Sequence, residues 1–163
     1  LTGTLNRRAF FECADGARML ALRLRKPISL LMLDIDHFKQ LNDSFGHACG
    51  DEALRVFADT ARGVLREHDV IGRLGGEEFA LALPGTTLDG ALEAAERLRM
   101  AVTAAPVIAG APGYRMTARI GVLVIDPCEE LTAALARADH ALYGAKASGR
   151  NRVHIGAPML KRA

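Results

Sequence analysis

Apolar positions along the chain change period several times, and each change marks an element. Phe10, Phe11, Ala14, Ala17, Met19, Leu20 and Leu24 recur at helical spacing, so residues 6–25 are expected to form an amphipathic helix. Pro27 stops it, because its ring locks φ and removes a donor. Ile28-Ser29-Leu30-Leu31-Met32-Leu33 then runs almost continuously apolar into Asp34, the pattern of a central strand buried on both faces. Helical spacing returns over 50–65 with Ala53, Leu54, Phe57, Ala61 and Leu65. Two short β-like runs, 70–74 and 79–83, flank Gly75-Gly76-Glu77-Glu78 and read as a hairpin. Leu88, Leu92, Ala95, Leu98 and Val102 place a helix over 87–105, closed by Pro106. A strand over 116–125, a helix over 131–146 ended by Gly149, and a last strand over 153–155 complete the order helix–β–helix–helix–ββ–helix–β–helix–β. Strands separated by helices, with one hairpin, predict an α/β fold with a mixed central sheet flanked by helices.

Composition narrows the class. The 163 residues are half hydrophobic and a quarter charged, which suits one compact domain over 1–163. A net charge of +2 is too balanced for a nucleic-acid or anionic-membrane surface, so no nucleic-acid partner is expected and phosphate binding must come from a local site. The apolar run around 28–33 is too short to span a bilayer, and no charged-then-apolar leader opens the chain. Cys13, Cys49 and Cys128 show no Cys-x-x-Cys or zinc spacing, which points to free thiols in a reducing cytoplasm. The start at Leu1 suggests a domain whose regulatory partner lies upstream.

Candidate chemistry gathers at two places. Asp34-Ile35-Asp36 ends the first strand, where acids at i and i+2 point to one side if the strand continues through them. Gly75-Gly76-Glu77-Glu78-Phe79 puts two residues tolerant of positive φ and two acids at a hairpin tip. An acidic turn and a solvated tip are the plainer alternatives. Carboxylates from two strand ends brought together would give hard oxygen ligands suited to Mg²⁺ and to bridging nucleotide phosphates.

The tip resembles the GGDEF/GGEEF signature of diguanylate cyclases. The resemblance extends to Leu1-Thr2-Gly3-Thr4-Leu5-Asn6-Arg7-Arg8, to the segment from Asp34 to Asp43, to Gly46-His47-Ala48-Cys49-Gly50-Asp51, and to the segment from Ala138 to Asn151. It implies the palm-like nucleotidyl cyclase fold and condensation of two GTP into cyclic di-GMP by a homodimer of half-sites. It implies Mg²⁺, with Mn²⁺ as the alternative, held by Asp34, the carbonyl of Ile35 and Glu77. Asn42 and Asp51 match the groups that bind guanine, and Lys39 matches a basic catalytic residue near the reacting phosphate. The amides around His37 and Phe38 match contacts to the terminal phosphates, as do Lys146 and Arg150. Glu77 or Glu78 is the candidate for taking the ribose 3′-OH proton. Glu52-Ala53-Leu54 spells the triplet of the cyclic di-GMP phosphodiesterases by coincidence, since the chain has no room for that larger domain.

Arg66-Glu67-His68-Asp69 is, by itself, an i,i+3 surface pair of small worth. Its place before Gly75 matches the family's product-inhibition site for cyclic di-GMP, with Arg97 as the second guanidinium. Thr4 and Arg119 depart from the family pattern, Arg119 standing where a small residue is usual, and neither is expected to touch the metal or base positions. Two other readings compete: a non-catalytic cyclic di-GMP receptor, and a cyclase that closes a single nucleotide on itself.

Overall fold

The computed structural model describes residues 1–106, 108–126 and 128–157, and of 144–148 the main chain alone. Along the chain run β1 (Leu5–Asn6), α1 (Arg7–Arg23), β2 (Ile28–Ile35), α2 (Phe38–Phe45), α3 (His47–Val64), β3 (Val70–Gly75), β4 (Glu78–Pro84), α4 (Leu88–Thr103), β5 (Ala118–Val124), α5 (Leu131–Ser148) and β6 (Val153–Ile155). The expected mixed sheet is present, with six strands in the order β1-β3-β4-β2-β5-β6. β2 lies antiparallel between β4 and β5, while the pairs β1–β3 and β5–β6 are parallel.

Every residue of β2 is buried, because helices cover both sides of the sheet. Strand alternation sends Leu31, Leu33 and Ile35 into a core shared with α2, α3 and α4, and Ile28, Leu30 and Met32 into one shared with α1 and α5. Phe57 of α3 stacks on Phe79 of β4 with ring centroids 4.5 Å apart. Each such fully buried side chain contributes about 1.5–3 kcal/mol. By the same alternation Asp34 belongs to the α1–α5 face, at the end of the strand.

The differences from the expected elements are local. β1 has two residues, too few to leave a period, yet Asn6 at its end caps α1 by accepting from Ala9 N–H at 2.9 Å. α3 starts at His47 rather than at residue 50, because Gly46, at φ 84°, supplies the break from α2. Among the described residues, no helix is long and apolar enough to cross a membrane.

Candidate functional site

The end of β2 is more buried than a strand rim was expected to be. Asp34 is 6% exposed and Asp36 is 1% exposed. Two carboxyl groups in such surroundings demand compensation, and the register supplies it. Asp34 stands opposite Glu78 of β4 on one side and Arg119 of β5 on the other. Arg119 Nη2 donates to Asp34 Oδ1, and its Nε lies 3.1 Å from Asp36 Oδ1 as an ion pair without an aligned hydrogen bond. The expectation that Arg119 leaves the metal position untouched is therefore overturned: antiparallel pairing puts it directly beside Asp34.

Asp36 is a hub. Its Oδ2 accepts from Thr117 Oγ1 at 2.8 Å and from Asn151 N–H at 2.9 Å. Its main-chain oxygen accepts from Tyr114 Oη at 3.1 Å. Burial, then the Asp36 charge, push the Tyr114 phenol up to about 12. Arg99 Nη1 also donates to Asn151 Oδ1 at 2.9 Å. These contacts pin the Gly149–Asn151 turn beside the end of β2, and the exposed Arg150 rides on that turn. Lys146 falls within α5, but its side chain lies outside the described residues.

The hairpin brings its acids to the same place. Gly75 pairs with Glu78, leaving Gly76 and Glu77 as the turn. Gly76 sits at φ 47°, the left-handed region where a side chain costs energy, and Arg73 Nε donates to its carbonyl at 2.8 Å. The Glu77 carbonyl accepts from Ile35 N–H at 3.4 Å. Glu78, across from Asp34, also lines a cleft of about 310 Å³ between α1 and α5 with Arg7, Met32 and Asp139. Among the described residues no three His, Cys, Asp or Glu side chains gather closely enough to hold a metal ion. A cation here needs a main-chain oxygen as well, such as the Ile35 carbonyl. With that oxygen the donors fit a hard divalent cation in kind.

His37 precedes α2 at φ 60° and ψ 20° and offers no side-chain cap. Its ring Nδ1 instead pairs with Gln40 Oε1 at 2.8 Å. The first bond closing the helix runs from Leu41 N–H to the His37 carbonyl at 2.9 Å, so the amides of Phe38 and Lys39 precede the ladder and point out of the N-terminus. Such an end suits phosphate, and Lys39 is exposed beside it. Further along α2, Asn42 Oδ1 is buried without a partner. It lies against Gly50 of α3 so closely that a Cβ there would fall 2.0 Å from it. Half-buried Asp51 follows in the same helical turn.

Arg66 and Asp69 lie elsewhere, at the corner between α3 and β3, and Arg97 of α4 reaches the end of α3 there. Asp69 Oδ2 accepts from Arg66 N–H at 2.9 Å, and Asp69 N–H donates to the Arg66 carbonyl at 3.1 Å. The two residues thus close a turn through the main chain, and no ion pair joins their side chains. Arg97 Nη2 donates to the Val64 carbonyl at 3.4 Å, and Asp69 Oδ1 is buried without a partner. This corner sits at the opposite end of β3 from the Glu77–Glu78 turn, roughly 17–20 Å away for six residues of strand. Thr117, Tyr114 and Asn151 were not singled out from the sequence. Nothing in the sequence pattern marks Thr117 or Tyr114, and Asn151 enters there only as the end of the segment 138–151 that carries the resemblance.

Comparison with known proteins bears directly on this arrangement. Residues 1–152 match the family model described as diguanylate cyclase, GGDEF domain. The chain is 44% identical over 153 residues to the Escherichia coli diguanylate cyclase DgcM, covering 94% of this chain and 37% of that protein's length. It superposes with a TM-score of 0.87 on the active GGEEF domain of a diguanylate cyclase from Vibrio cholerae, at 35% identity and covering 94% and 98% of the two chains. The GGDEF domain of DgcB from Caulobacter crescentus, solved in complex with c-di-GMP, gives a TM-score of 0.89 at 34% identity, covering 94% and 92%. A six-stranded mixed sheet with acids at the ends of β2 and of the β3–β4 hairpin, matched over nearly the whole chain, places it in the GGDEF domain family of diguanylate cyclases.

Proposed function

We propose that this domain condenses two GTP molecules into cyclic di-GMP and releases two pyrophosphates. The observation that carries the reading is the convergence at one sheet end of Asp34, the Ile35 carbonyl and the Glu77 turn, beside the uncapped start of α2. When bound to Asp34, Ile35 and Glu77, Mg²⁺ or Mn²⁺ supplies Lewis-acid stabilisation of charge on the phosphates.

The chain's own residues do the rest. The amides around His37 and Phe38, at the start of α2, hold terminal phosphate oxygens, and the Lys39 side chain lies beside them to meet charge that develops during transfer. Arg150, held by the Asp36-anchored turn, and Lys146 contact the phosphate tail. Asp51 accepts the paired N1–H and N2–H donors of guanine, and the unpartnered Asn42 Oδ1 is a further acceptor for the base. Adenine lacks that donor pair. Glu77 or Glu78 takes the proton of a ribose 3′-OH. The 3′-oxygen then bonds to the α-phosphorus of the GTP held by a second subunit, and the bond from that phosphorus to pyrophosphate breaks. Done twice, this closes the ring, so each monomer is half of an active site. The same reading assigns Arg66, Asp69 and Arg97 to product binding, for which Asp69 Oδ1 is an acceptor already buried and unpartnered.

The test is kinetic. GTP consumption should require Mg²⁺ or Mn²⁺, and the rate per subunit should rise with protein concentration in the dilute range. Equal turnover of ATP, or a rate per subunit independent of concentration, would contradict the reading.

A further inference from the structure

The protein places a cation of its own between the two acids at the end of β2. Asp34 and Asp36 are almost fully buried, and the Arg119 side chain that reaches them is itself only 11% exposed. The guanidinium uses two edges, Nη2 toward Asp34 and Nε toward Asp36. The two acids depend on it differently. Asp36 keeps Thr117 Oγ1 and Asn151 N–H as donors in any case, whereas Asp34 Oδ1 accepts from Arg119 itself.

We infer that Arg119 is a resident counter-ion of Asp34 which a divalent cation must displace, so that this side chain sets the metal concentration the site requires. The inference rests on the proposal that Asp34 is a metal ligand. A guanidinium bonded to Asp34 Oδ1 takes up part of the carboxylate's acceptor capacity, and the positive charge beside it repels an incoming dication. Displacement need not undo the whole arrangement. If Nη2 swings away while Nε stays near Asp36, Asp34 is released and Asp36 keeps its compensation.

The experiment measures binding of Mn²⁺ alone, by the loss of the free-ion paramagnetic resonance signal, to wild type and three variants. Arg119→Ser should tighten Mn²⁺ binding by about tenfold or more, the equivalent of one charge-assisted hydrogen bond no longer competing. Arg119→Lys should fall between, since it keeps the positive charge but lacks the planar fork that presents Nη2 to Asp34 and Nε to Asp36. Asp34→Asn should abolish binding in either background. The metal-free melting temperature of Arg119→Ser should drop, and Mn²⁺ should raise it by more than it raises that of wild type. If Arg119→Ser does not fold, Arg119→Lys and the double variant Arg119→Ser with Asp36→Asn, which removes the uncompensated charge, carry the same test. Unchanged or weaker Mn²⁺ binding in the Arg119 variants, with Asp34→Asn still abolishing it, overturns the inference alone. Full Mn²⁺ binding by Asp34→Asn overturns the metal reading of the site.

Discussion

At the end of β2, Arg119 reaches two buried aspartates across 85 residues of sequence, while at the α3–β3 corner Asp69 turns back on the main chain of Arg66, three residues away. Both places combine arginine with aspartate, yet they use the pair in opposite ways. Inside, the guanidinium offsets charge largely shielded from water, so removing it leaves buried charge less compensated. Outside, the carboxylate shapes a turn and leaves the Arg66 side chain exposed, available to a ligand. The contrast separates a place whose charges are matched across the sheet from one where Arg66 is exposed and Asp69 Oδ1 is buried without a hydrogen-bond partner.

The comparison can be broken first at its inner member. Replacing Asp34 by Asn, or Glu77 by Gln, should lower cyclic di-GMP formation by ~10³-fold or more, because each removes a charged ligand where negative charge builds on the phosphates. Initial rates at saturating GTP check this, with circular dichroism confirming the fold. Near wild-type rates would return Asp34 to a structural role beside Arg119.

Asp36 should matter for stability. Asp36→Ala strips Thr117, Asn151 N–H and Arg119 of a common acceptor and should destabilise the fold by about 3–5 kcal/mol, as breaking a buried pair does. Urea unfolding of the two proteins measures it. A loss below about 1 kcal/mol, the size of an exposed pair, would erase the distinction between the two regions.

At the base pocket, Asp51→Ser should cut the preference for GTP over ATP by at least about 10²-fold, since a hydroxyl cannot accept two parallel donors and site-specific hydrogen bonds discriminate by up to about 10⁴-fold. The ratio of kcat/KM for the two nucleotides reads this directly. An unchanged ratio would place the guanine contact elsewhere.

The outer member is tested by product binding. Arg66→Ala should weaken cyclic di-GMP affinity by about tenfold or more, one charge-assisted hydrogen bond being worth roughly 1.5–3 kcal/mol. Calorimetric titration decides it, and an unchanged affinity would leave the corner as a turn and nothing else.

The smallest effect concerns Tyr114. Its folded pKa of about 12 stands above the ordinary 10.0, so the stabilisation held by the neutral phenol is present below pH 10 and is lost as pH rises toward 12. Tyr114→Phe should cost about 1 kcal/mol at neutral pH, for the bond to the Asp36 carbonyl. It should also remove this share of the alkaline loss, as denaturation at pH 9 and near pH 11.5 would show.

Much of the fold was legible because it is periodic. The continuous apolar run before Asp34 announced a strand buried on both faces, and Gly75-Gly76 announced the hairpin. The places of Asp34 near a strand end and Glu77 in the hairpin turn were legible as well, since residue patterns mark both. What the sequence concealed was register. Arg119 reads as an isolated charge in an apolar strand until β5 pairs with β2 and sets it opposite Asp34. Asn151 likewise reads as part of a polar turn, although its amide completes the shell of an acid 115 positions away. β1 escaped notice for a simpler reason: two residues carry no period.

The most direct test is to incubate the purified chain with GTP and Mg²⁺ and identify the nucleotide product by mass. Cyclic di-GMP is the expected product, with two pyrophosphates released per molecule formed, and its yield should collapse when Asp34 is replaced by Asn. A cyclic mononucleotide as the product, or binding of cyclic di-GMP without any turnover of GTP, would contradict it.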